Sequence, residues 1–147
     1  MKETDITNAR MLAGGCLCGA TRYAVADEFI YAANCHCSNC RRATGSAFKP
    51  FAGIERHKLL VTKGAENLLL YGDANGNDTH CKHCGSLLYS LVRAGAFVHV
   101  AMGTLIDAPT IRPAQHIFVG SKAPWFMITD NLPQYAGLAP TRPAAGG

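Results

Sequence analysis

The chain has 147 residues, 48% of them hydrophobic and 16% charged, which suits one well-packed domain and excludes both disorder and a pair of full-sized domains. Lys and Arg number 14 against 10 Asp and Glu, a net charge of +4, and the only adjacent basic pair is Arg41 and Arg42. No basic block of the kind that grips nucleic acid is present, the start "MKETDITNAR" is polar, and no uncharged apolar run approaches the roughly 18 residues that span a bilayer. A soluble, cytoplasmic protein without a membrane or nucleic-acid partner is expected; nothing in the residues bears on oligomeric state.

Residues 1–10 read as a flexible N-terminus. The first strand signal follows at "ATRYAVA" (Ala20 to Ala26). A helical turn or two is expected over Ser38 to Thr44, with Ser38 and Asn39 as caps and Gly45 as its end. Further strand signals are "KLLVTKG" (Lys58 to Gly64), "NLLLYG" (Asn67 to Gly72), "SLLYSLV" (Ser86 to Val92), "AFVHVAMG" (Ala96 to Gly103) and "QHIFVG" (Gln115 to Gly120). Each is short, apolar or alternating, and bounded by turn residues, the pattern of antiparallel sheets. Between "NLLLYG" and "SLLYSLV", "GDANGND" reads as a turn. One domain is expected over residues 11–137, and residues 138–147, rich in Pro, Gly and Ala, read as a loose tail.

Seven cysteines fall into three close-spaced sets: Cys16 and Cys18 in "GGCLCGA", Cys35, Cys37 and Cys40 in "NCHCSNC", and Cys81 and Cys84 in "HCKHCGS". In a reducing compartment such sets are metal ligands more often than disulfides. A C-x-x-C followed by Gly resembles a zinc knuckle, and a C-x-C on extended chain turns both sulfurs to one face. Pairing Cys16 and Cys18 with Cys81 and Cys84 closes a four-thiolate structural site. Cys35, Cys37 and Cys40 then form a three-thiolate set one ligand short, the pattern of a catalytic zinc. Two other readings stand beside this one. His36, His80 or His83 completes the triplet as a second structural site, or two of its cysteines serve the first site and the third is a buried thiol.

In order and spacing, "GGCLCGATRY", "NCHCSNCRRATGSAF", "HCKHCGSLLY" and "HIFVGSKAPWF" resemble the glutathione-dependent formaldehyde-activating enzyme family, which includes the centromere protein V domain. The resemblance runs from about Leu12 to Tyr135. It implies a mainly β, zinc-stabilised, Mss4-like fold of packed antiparallel sheets with little helix. By position it implies two zinc ions per chain: a structural one on Cys16, Cys18, Cys81 and Cys84, and a catalytic one on Cys35, Cys37 and Cys40. The implied reaction is zinc-dependent carbon–sulfur lyase or adduct-forming chemistry between a thiol, glutathione or one like it, and formaldehyde or another small aldehyde. Where family members commonly carry an aromatic residue before the C-x-x-C, this chain has His80.

Around the triplet, Arg41 and Arg42 are candidates for holding a substrate carboxylate while offsetting the negative charge of a three-thiolate zinc, Arg41 counting among the catalytic residues, with solvated surface arginines as the plainer reading. His99 and His116 are candidates for proton transfer, although their strand-like settings also suit sheet-face histidines. Trp125 is a substrate-contact candidate or a lid aromatic, and Ser121 and Lys122 lie in the same loop. Two other classes of function remain consistent with the residues: a zinc-stabilised binding module without catalysis, and a thiol redox or metal-handling protein.

Overall fold

The computed structural model describes residues 9–140. Strands β1 (Met11–Gly15), β2 (Arg22–Ala26) and β5 (Leu59–Lys63) form a three-stranded antiparallel sheet in the order β1-β2-β5. The second sheet holds β3 (Tyr31–Cys35), β4 (Lys49–Glu55), β6 (Leu68–Gly72), β7 (Asn77–Cys81), β8 (Leu87–Val92), β9 (Phe97–Ala101) and β10 (His116–Ile117). Its order is β10-β3-β4-β9-β8-β7-β6. The architecture is the expected mainly β one, two sheets with a single α-helix, α1 (Ser38–Thr44), among the described residues. No helix among them is long and apolar enough to cross a membrane.

All six sequence-predicted strands form. Four more, β1, β3, β4 and β7, carry weak local signals and owe their place to their partners. In β1, Gly14 faces Tyr23 across the β1–β2 ladder, and a Cβ on Gly14 would meet the Tyr23 ring at 2.1 Å. In β4, Gly53 faces Tyr31 of β3, where a Cβ would meet that ring at 2.3 Å. Each glycine weakens a strand by itself, and each is roofed by the ring of the cross-strand tyrosine. Strand β7 begins at Asn77, inside the stretch read as a turn; the turn itself is tighter, with Asp73 Oδ1 accepting from the amides of Asn75 and Gly76. One pairing departs from the antiparallel rule: β10 lies parallel to β3, with His116 beside Asn34 and Ile117 beside Cys35. A two-residue strand reached through the long connection after β9 can dock in that direction.

The two sheets pack face to face. Leu12, Tyr23 and Val25 of the small sheet meet Ile54, Leu91, Val98 and Val100 of the large one in a continuous core that also includes Cys16 and Cys81. Strand alternation places the other residues of β4 and β9 on the outer face of the large sheet. A second cluster forms there from Ala33, Cys35, Phe51 and Ile117, with Tyr31, Cys37, Cys40 and Ala139 packed against it. The flexible start expected over residues 1–10 and the tail expected over residues 138–147 lie mostly outside the described residues. Of the residues described there, Arg10 Nη1 donates to Asp27 Oδ2 at 3.0 Å, and Ala139 packs on the second cluster.

Candidate metal centres

The first cysteine group sits where the two sheets meet at one end. After β1 the chain turns through Gly19, at φ 82°, and Cys16 N donates to Thr21 O at 3.1 Å while Thr21 N donates to Cys16 Sγ at 3.2 Å. A matching turn follows β7: Gly85 N donates to Cys81 O at 2.7 Å and Ser86 Oγ lies 3.3 Å from Cys84 Sγ. The two turns are joined directly, since Leu17 N donates to Ser86 Oγ at 3.0 Å. Cys16 Sγ lies 3.7 Å from Cys18 Sγ, which lies 3.8 Å from Cys81 Sγ, and all four sulfurs fall within 4.8 Å of one another. A tetrahedral ion with metal–sulfur bonds of about 2.3 Å sets its sulfurs roughly 3.8 Å apart, so this donor set fits zinc. The Ser86 hydroxyl and amide draw Cys84 down to about 5. At Cys18 the Ala20 amide pulls downward, but burial and the neighbouring sulfurs outweigh it and raise the thiol to about 11.

The triplet lies on the outer face of the large sheet, away from that core. Cys35 ends β3 between Lys49 of β4 and Ile117 of β10. Cys37, extended at φ −65° and ψ 155°, is the N-cap of α1, and its sulfur accepts from Cys40 N at 3.3 Å. Ser38 and Asn39, expected as caps, fall inside the helix, because a sulfur at the preceding position takes the amide that a serine oxygen would take. The helix closes at Gly45, whose φ of 63° suits glycine. The three sulfurs lie within 4.8 Å of one another, with no histidine or carboxylate in the group. Cys40 donating to Cys35 pulls Cys35 down to about 6, against burial and with help from the Cys37 amide and the Lys49 charge, and the same shared proton pushes Cys40 far up.

The histidines take other partners. His36, fully buried between two of these cysteines, places Nε2 at 2.8 Å from His116 Nδ1, and His116 Nε2 lies 2.9 Å from Asp130 Oδ2. Desolvation, with the charges of His116 and Lys122, lowers His36 to about 4, and its Nδ1 is buried without a partner. His83 bonds Asn67, and His80 lines a cavity described below. His99 Nε2 bonds Tyr31 Oη at 2.7 Å, and its ring stacks on Phe51 at 4.3 Å.

Arg41 and Arg42 point to different tasks. Arg41 Nη1 donates to Ser121 O at 3.1 Å, tying α1 to the loop after β10, while Arg41 Nε is buried without a partner. Arg42 lines a cavity of about 600 Å³ with Asn39, Ala43, Tyr71, Asp78 and His80. Trp125 is 70% exposed and borders a separate cavity of about 370 Å³ with Phe126 and Met127. Lys122 is occupied by its own loop, donating to the carbonyls of Ala123 and Phe126. The sequence reading passed over Lys49, 5% exposed beside Cys35. Its only signal is a lone cation in "SAFKPFAGIE", hidden because β4 did not read as a strand.

A sequence model of the glutathione-dependent formaldehyde-activating enzyme family matches residues 11–121. The chain belongs to this family. The formaldehyde-activating family match spans both cysteine groups and α1. A Halomonas elongata protein, provisionally named a glutathione-dependent formaldehyde-activating enzyme, is 30% identical over 128 residues, covering 80% of this chain and 81% of that one. Among solved structures, a Rhodobacter sphaeroides protein is similar at a TM-score of 0.56 and 29% identity, covering 67% of this chain and 92% of its own.

Proposed function

We propose that the chain is a zinc-dependent carbon–sulfur lyase that makes and breaks the adduct of a thiol, glutathione or one similar, with formaldehyde or another small aldehyde. The observation that carries this reading is the convergence of the Cys35, Cys37 and Cys40 sulfurs without a fourth protein ligand among the described residues. Cys16, Cys18, Cys81 and Cys84 are read as structural ligands and the triplet as the catalytic set, two zinc ions in all. Zinc bound by three thiolates supplies a soft Lewis acid that takes a fourth thiol in its deprotonated form.

The chain's own residues orient the partners. Arg42 faces the cavity as a carboxylate anchor, and the buried, unpartnered Nε of Arg41 is a second donor for a substrate anion. Trp125, on its separate cavity, is the residue for a peripheral part of a larger thiol. In the forward direction the thiol sulfur bonds the carbonyl carbon and the thiol's proton ends on the former carbonyl oxygen; the reverse cleaves that carbon–sulfur bond. Seven free thiols suit a reducing, cytoplasmic setting.

The test is exchange spectroscopy on glutathione and formaldehyde with the zinc-loaded protein. Adduct exchange faster than in buffer, abolished in Cys37→Ser and slowed through a raised KM in Arg42→Ala, is the expected result. Exchange no faster than in buffer across a panel of thiols and aldehydes would sink the reading.

A further inference from the structure

Lys49 is a buried cation on the triplet's own sheet face that the reaction above leaves without a task. It opens β4 directly opposite Cys35 and is 5% exposed. Its Nζ donates to Ser90 Oγ at 3.0 Å, and Ser90 Oγ donates in turn to Asp78 Oδ1 at 2.6 Å. Asp78 thus reaches the ammonium through a hydroxyl. Lysine is rarely so buried unless a compensating charge is close. The other titratable groups facing it are Cys35 and Cys40 on one side and His99 on the other. Of these, only the cysteines become anions. The register fits, since directly opposed residues on neighbouring strands hold their Cβ atoms about 5 Å apart.

We propose that Lys49, anchored by Ser90 and Asp78, is the built-in counter-charge that lets the three-cysteine centre accept an anionic fourth ligand. A divalent ion on three thiolates carries a net charge of −1, and a substrate thiolate would take it to −2 inside a half-buried site. One fixed positive charge on an adjacent strand offsets that second charge, and at an effective dielectric of about 20 its loss is worth at least about tenfold in binding. A neutral fourth ligand adds no charge and owes nothing to Lys49. Lys49 therefore acts on the centre as a positioning residue and sets a preference for thiolate over neutral donors. This rests on reading the triplet as a metal centre with room for a substrate.

The test uses the full chain loaded with cobalt(II), whose absorbance reports each ligand, titrated with 2-mercaptoethanol, azide and imidazole. Lys49→Gln keeps a donor for Ser90 and removes the charge. It is expected to weaken mercaptoethanol and azide at least about tenfold and to leave imidazole within about twofold, while Lys49→Arg stays close to wild type. Equal losses for all three ligands, or none, would overturn the proposal and leave the proposed function standing. A wild-type protein that takes up no second metal would overturn both. If Lys49→Gln fails to fold, Lys49→Met carries the same comparison: losses confined to mercaptoethanol and azide support the counter-charge, and equal losses for all three ligands, or none, refute it.

Discussion

The two cysteine groups differ at the residue scale in what surrounds the sulfurs. Cys81 is fully buried in the core between the sheets, whereas Cys37 is half-buried on an outer face and caps a helix that buries none of its residues. Cys81→Ser is therefore expected to lose a structural metal and much of the fold, and Cys37→Ser to remain folded with one metal. Native mass spectrometry with far-ultraviolet circular dichroism checks both; two equally unfolded variants would show that the division is wrong. His99 supplies a pH prediction. Desolvation, then repulsion from Lys49 and Arg93, lowers it to about 3. An unfolded chain takes up that proton near pH 6.5 and the folded one not until about pH 3, so stability is full above 6.5 and falls as pH drops through that window. The slope from one such group is at most about 1.4 kcal/mol per pH unit. His99→Gln, which keeps an acceptor for Tyr31, should flatten the loss between pH 7 and pH 5 in chemical denaturation. Parallel curves for the two proteins would contradict this.

Strand elements here are built by pairs, and the β3–β4 pair shows how. Tyr31 lies over Gly53, bonds His99 and packs edge-on to Phe51, so one ring joins β3, β4 and β9 on the face that carries the triplet. Gly53→Ala would drive a methyl into that ring, and overpacking of this kind costs about 1–3 kcal/mol. The expected result is that loss in denaturant together with a displaced Tyr31; an unchanged midpoint would mean the ring has room to shift. The same pair explains which elements were legible in sequence. "SLLYSLV" and "AFVHVAMG" announce strands because their own residues favour them. "YAANC" and "KPFAGIE" do not, since their alanines and glycine have little strand preference of their own, and Gly53 makes space for the Tyr31 ring from the neighbouring strand. Helix α1 was legible from Gly45 at its end, but its cap was not, because the capping atom is a cysteine sulfur.

At the scale of the molecule, the four-thiolate group joins the β1–β2 turn of the small sheet to the β7–β8 turn of the large one, closing a chain segment from Cys16 to Cys84. Closing so long a loop and bridging both sheets would make a metal held by these four sulfurs part of the fold. The triplet draws its ligands from the end of β3 and from the cap and first turn of one short helix. A graded chelator titration is expected to remove the triplet's metal first with little change in melting temperature, and the four-thiolate metal later, with a fall on the order of 10 °C or more. Calorimetry at each metal content checks this; simultaneous loss of both metals with unfolding would contradict it.

Cysteine spacing was enough to divide seven thiols into four and three and to place the chain in its family, because ligand chemistry is local and survives in the order of the residues. Mainly β structure was also legible, since alternation is local as well. The outer-face setting of the triplet, the Asp130–His116–His36 chain and Lys49 across from Cys35 join residues up to 94 positions apart. Strand register brings those residues together, and register arises from packing between whole sheets, which no short stretch of the sequence contains.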